Sequence, residues 1–151
     1  MKAFNNDPQL KADLLRIVAE HRENDQLVRK VYAEYDQEGI FHGCAVGCSI
    51  HSYNLLTGSD LDESTHSSYE RFGIPERIAL MQDYIFERLY PLGPRGALFF
   101  PEAFLKSINV GSELFSYNLC GKLYELRNDY NNNNNRYEYR DGFLSLLSSI
   151  K

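Results

Sequence analysis

The 151-residue sequence predicts an all-α fold: one compact, bundle-like domain of six to eight helices. Three observations lead there. Leucine outnumbers valine 19 to 5 and threonine occurs only twice, whereas strands lean on β-branched residues. Apolar side chains recur three and four positions apart through most of the chain. Hydrophobic residues make up 43% and charged residues 25%, with 10 glycines and 5 prolines, a balance that excludes collagen-like and wholly disordered classes. A chain of this length builds a core of its own, so residues 1–151 are expected to form a single helical domain.

Asp7 is placed to cap a first helix with Pro8 at its opening position, and Leu10, Leu14, Ile17, Val18 and His21 then follow at helical spacing. The stripe pauses near residues 23–25. It resumes through Leu27, Val28, Val31, Tyr32 and Tyr35, as a second helix or as a continuation to about Asp36, with Gly39 marking the end. A further helix is expected over residues 43–56, and a short one through Leu61, Thr65, Tyr69 and Phe72 that closes at Gly73. Pro75 opens a helix lined by Ile78, Met81, Ile85 and Leu89. Two prolines and two glycines make residues 91–96 an internal loop. Pro101 starts a helix through Phe104, Leu105 and Ile108, and Ser112 offers a cap for one through Phe115, Leu119, Leu123 and Leu126. The asparagines at 131–135 have nothing apolar to bury and read as a mobile loop. Phe143, Leu146, Leu147 and Ile150 form a last helix, and no internal repeat is visible.

Sixteen basic against twenty-one acidic residues give a net charge of −5, and residues 41–75 carry one basic against four acidic side chains. No segment concentrates the lysines and arginines that neutralise phosphates, so nucleic acid is not an expected partner. Nor is a membrane, because nowhere do 18 uncharged apolar residues run together. Three cysteines, Cys44, Cys48 and Cys120, do not make a secreted disulfide framework, which points to the cytoplasm.

Residues 42–51 place two cysteines and two histidines within ten positions. On a helix, Cys44, Cys48 and His51 fall at roughly 0°, 40° and −20°, within one narrow stripe. His42 joins them only from the preceding loop, while His66 and Glu70, four apart, face the stripe from the next helix. One chemistry for such a set is thiol redox, with Cys44 or Cys48 attacking, His51 lowering the thiol pKa and the other cysteine resolving. The stretch GCAVGCSIH resembles the motif of the alkylhydroperoxidase D family, small all-helical peroxidases with two cysteines and a downstream histidine. That resemblance implies thiol peroxidase or disulfide reductase activity at Cys44, Cys48 and His51. It covers about ten residues and departs at both spacings, with three residues between the cysteines and two before the histidine. The same stretch also resembles small bacterial or phage proteins of uncharacterised families, which implies no activity.

A second chemistry is metal binding, zinc or iron, by Cys44, Cys48 and His51 with His66, His42 or Glu70 as a fourth ligand. Structural zinc sites add a second cysteine pair elsewhere, and none is present. The string CxxxCxxH also resembles the cluster loop of radical enzymes that use S-adenosylmethionine, with His51 in place of the last cysteine. Those enzymes need repeated βα units, which this leucine-rich chain lacks. The third reading is structural: Gly43, Cys44, Gly47 and Cys48 form a run of small residues that lets another helix approach closely.

Elsewhere, Glu76, Asp83 and Glu87 share one side of their helix and read as a solvated face. Tyr117, Cys120 and Tyr124 read as packing, and His21 as a satisfied, partly buried histidine. Eleven tyrosines and nine phenylalanines exceed what one core readily hides, which makes Tyr90, Phe99 and Phe100 candidates for self-association. No phosphate-binding glycine loop, GxSxG or HExxH occurs. The function expected on balance is a non-catalytic interaction or accessory module, with a protein partner or a second copy as its counterpart and no cofactor.

Overall fold

Asp7 caps the first helix, α1 (Pro8–Glu23): its carboxylate accepts the Gln9 amide at 2.8 Å, and Pro8 occupies the opening turn, where a missing N–H costs nothing. The computed structural model describes residues 1–89, 94–114, 121, 122, 124–126, 128 and 135–151. The fold is all-α, with one minimal β-hairpin. Besides α1 and helical residues between 121 and 128, the described helices are α2 (Ala45–Thr57), α3 (Glu76–Leu89), α4 (Pro94–Leu98), α5 (Phe100–Ser107) and α6 (Arg136–Ser148), with 3-10 turns at Ala3–Asn6 and His66–Phe72. None of the described helices is long and apolar enough to cross a membrane.

α2 is the central helix and packs against α1, α3 and α5. It is buried along its first half, from Ala45 to Ile50, and again at Ser52. Its two buried serines return their hydroxyls to the carbonyls one turn back, Ser49 to Ala45 and Ser52 to Cys48, so neither is left unsatisfied. The rest of the core mixes isoleucine and leucine with phenylalanines, of which Phe72, Phe86, Phe100, Phe104 and Phe143 are fully or almost fully buried.

The helix expected through Leu27–Asp36 is not formed. The chain there is non-helical and bends at 29–30 and 32–33, β1 (Glu34–Tyr35) pairs antiparallel with β2 (Phe41–His42), and Leu27 makes a parallel bridge to Gly43. Val28 N–H donates to the Gly43 carbonyl (2.8 Å), Gly43 N–H to Gln26 (2.9 Å) and Cys44 N–H to Val31 (2.6 Å). Gly39, at φ +77°, turns the hairpin instead of ending a helix. This segment lies directly on α2. A Cβ at Gly47 would stand 1.6 Å from the Tyr32 carbonyl oxygen, so the small-residue run does admit a close neighbour, but a non-helical one.

Other boundaries shift for local reasons. Of the loop expected at 91–96, residues 91–93 lie outside the described residues, whereas 94–96 belong to α4, with Pro94 at its first position. The short segment before Gly73 is a 3-10 helix. Ser112 bonds the Asn109 carbonyl (2.8 Å) and closes a turn there. Residues 121, 122, 124–126 and 128 are helical, and the expected helix is otherwise outside the described residues at 115–120. The Asn-rich loop is likewise outside them at 131–134, but Asn135 caps α6 by accepting the Tyr137 and Glu138 amides, so the last helix starts earlier than its apolar stripe.

The N-terminal turn is tied in from far along the chain. Ala3 N–H donates to the Ser112 carbonyl and Gly111 N–H to the Ala3 carbonyl, each at 2.9 Å, and the Asn5 amide donates to the Arg71 carbonyl. Phe4, in the left-handed region at φ 54°, is completely buried.

Candidate functional site

Cys44 is the residue before α2, not its first turn: its backbone is extended, at φ −72° and ψ −177°. It therefore leaves the stripe that a helix from residue 43 would have placed it on. Its side chain lines a recess of about 220 Å³ with Val31, Tyr32, Asp83 and Glu87. Asp83 accepts the Tyr32 hydroxyl (3.0 Å) and contacts His66 Nε2 (3.1 Å), while Glu87 takes the Arg29 guanidinium (3.2 Å) and the Lys30 amide (2.8 Å). The side of α3 expected to be a solvated face is thus half engaged, because the non-helical segment brings partners to Asp83 and Glu87. Burial pushes the Cys44 thiol up to about 12; the nearby Asp83 and Glu87 carboxylates add to this, and the Gly47 and Val46 amides oppose it.

Cys48 is fully buried within α2, and its thiol donates to the Gly43 carbonyl at 3.3 Å. Burial, followed by the neighbouring Cys44, raises it well above the ordinary thiol value. Both thiols are free. Cys120 lies outside the described residues.

His51 faces a different environment. Its Nδ1 stands 2.6 Å from a Glu63 carboxylate oxygen, and its ring stacks on Phe41 with centroids 3.9 Å apart and planes 2° from parallel. His42 contacts Asp36 (3.3 Å) in the hairpin. The redox set Cys44, Cys48 and His51 and the metal set that adds His66 are therefore distributed: Cys44 and His66 toward Asp83, Cys48 toward the Gly43 carbonyl, His51 toward Glu63. Among the described residues, no three His, Cys, Asp or Glu side chains are grouped so as to hold a metal ion. Glu70 shows no contact with this set and borders a separate recess with Met1, Pro75, Glu76 and Arg77.

Sequence reasoning missed what His51 does meet. A cleft of about 360 Å³ opens between α1, the hairpin and α2, and His21 and His51 both line it. Tyr35, Ile40 and Leu55 border it and are 58%, 41% and 59% exposed. Its residues come from stretches far apart in sequence, and only the helical spacing that put His21 on the buried stripe of α1 hinted at it. His21 is 4% exposed but not satisfied: Nδ1 bonds Gln26 Oε1 (2.9 Å), and Nε2 is buried with no partner. Of the aromatics expected on the surface, Phe99 is 53% exposed beneath the Arg22 guanidinium, Phe100 is buried in the core, and Tyr90 lies outside the described residues. Tyr124, expected to pack, is 67% exposed.

No family model, curated protein or solved structure matches the chain. The likeness of GCAVGCSIH to the alkylhydroperoxidase D motif thus rests on those residues alone.

Proposed function

We propose that the protein works by binding, as a non-catalytic interaction or accessory module. The observation that carries this reading is the state of the cysteines. A thiol reacts as its thiolate, and burial holds Cys44 and Cys48 protonated at neutral pH. Three of the exposed apolar side chains, by contrast, Tyr35, Ile40 and Leu55, border the same cleft. Such a rim suits burial against a partner surface, with a second copy as the simplest counterpart.

Sedimentation velocity over a range of concentrations tests it. Concentration-dependent association that Leu55→Glu weakens is the expected result. Peroxide consumption by the purified protein in the presence of a dithiol, abolished by Cys44→Ala or Cys48→Ala, would replace this reading with the thiol redox one.

A further inference from the structure

Two imidazoles stand side by side in the cleft, His21 from the last turn of α1 and His51 from α2, with ring centroids 5.3 Å apart. Both have Nδ1 against a side-chain oxygen, Gln26 Oε1 for His21 and Glu63 Oε1 for His51. An oxygen of this kind only accepts, so Nδ1 carries the proton in each ring, and the neutral ring keeps its lone pair on Nε2. For His21 that lone pair is buried and unanswered. Leaving such a group unsatisfied is a cost that a bound ligand would recover.

The surroundings fix both rings. Glu63 is itself held by the Asn54 amide (3.4 Å) and the Tyr35 hydroxyl (3.4 Å), and Phe41 stacks flat on His51. A ring oriented by an oxygen acceptor on Nδ1, with Nε2 left bare, is the arrangement of metal-ligating histidines. Two imidazoles bound through Nε2 to one tetrahedral ion, at zinc–nitrogen distances near 2.0–2.1 Å, hold their centroids about 5.2 Å apart. The separation of His21 and His51 matches this.

We propose that His21 and His51 form a two-imidazole site for a borderline divalent transition-metal ion such as zinc, bound through the two Nε2 atoms, its remaining positions open to water or to a ligand entering the cleft. This goes beyond the binding role above and does not depend on it. It also differs from the cysteine-based site expected from the sequence, with which it shares only His51. His21 Nε2 has almost no accessible surface, and a metal ion at about 2.0–2.1 Å approaches a ring nitrogen more closely than a hydrogen-bonded water does at about 2.9 Å. The Glu63 carboxylate and the Glu20 carboxylate bordering the cleft favour positive charge there. Burial pushes His21 below its ordinary value, the Gln26 hydrogen bond opposing and His51 adding to the shift, so the ring is in the unprotonated form a metal needs.

Equilibrium dialysis of the full chain, stripped with a chelator and then titrated with Zn²⁺, tests the proposal. About one ion per chain is expected, with affinity reduced about tenfold or more by His51→Gln and by Glu63→Gln, and unchanged by Cys44→Ala and His42→Gln. His51 and Glu63 are only partly buried, so these variants keep the test meaningful even if His21→Gln folds poorly. Co²⁺ in place of zinc should give ligand-field bands without a thiolate charge-transfer band. Binding of much less than one ion, binding indifferent to both His51→Gln and Glu63→Gln, or a thiolate band would overturn the proposal.

Discussion

Replacing Gly47 by alanine probes the close approach of the Tyr32 backbone to α2. The added Cβ would stand 1.6 Å from the Tyr32 carbonyl oxygen and 2.8 Å from its carbon, both backbone atoms that no rotamer change can move. To reach an ordinary contact of about 3 Å, the segment around Tyr32 has to retreat by roughly 1.5 Å. That retreat strains three backbone hydrogen bonds: Val28 to Gly43, Gly43 to Gln26 and Cys44 to Val31. At about 1 kcal/mol each they account for about 3 kcal/mol, and the overpacking adds about 1 kcal/mol or more. Alanine is better than glycine inside a helix by about 1 kcal/mol, which offsets part of this. A net loss of about 3 kcal/mol remains. For a domain of this size that lowers Tm by roughly 6–12 °C. Thermal and urea unfolding followed by circular dichroism read it directly. Gly121→Ala is the control: it lies in a helical stretch with open space around its Cβ and should be neutral or slightly stabilising. A Gly47→Ala protein as stable as the parent would refute the close approach of the Tyr32 backbone, and with it the placement of the whole segment.

Two other outcomes follow from the same geometry. Native protein at neutral pH should modify Cys44 and Cys48 with a thiol reagent far more slowly than urea-unfolded protein does, as peptide mass spectrometry after timed quenching would show; equal rates would mean that neither thiol is sealed. Asp36 accepts the Glu38 and Ile40 amides, each at 2.9 Å, and the Ile40 amide leads the causes that hold its carboxyl below the ordinary value. Its contribution to the hairpin is therefore present above the unfolded-state pKa and lost as pH falls through the lower folded value, so exchange protection of those two amides should decline in acid and do so less steeply in Asp36→Asn.

Local signals were the legible part of the sequence. Asp7 and Pro8 specify where α1 starts, and its apolar stripe names the residues that are buried: Leu14, Ile17, Val18 and His21. The segment 27–36 misleads because its apolar spacing is helical, whereas its backbone hydrogen bonds go to Gly43 and Cys44, partners that no local window contains. The glycines at 43 and 47 announced a close neighbour without saying what kind. Cysteine and histidine density flagged the right stretch, yet one residue decided the geometry: with Cys44 ahead of α2, the three groups no longer share a stripe. The pairing of His21 with His51 had no linear signature, since it arises only where α1 crosses α2 and the hairpin supplies Phe41.

The knot of bonds at the N-terminal turn sets an order of events during synthesis. Ala3 leaves the ribosome long before Gly111 and Ser112 exist, and until they emerge its amide and carbonyl have no native mates. Vectorial folding can assemble α1, α2 and α3 and tie Asn5 to Arg71 first, but the two backbone bonds of Ala3 form only when Gly111 and Ser112 arrive.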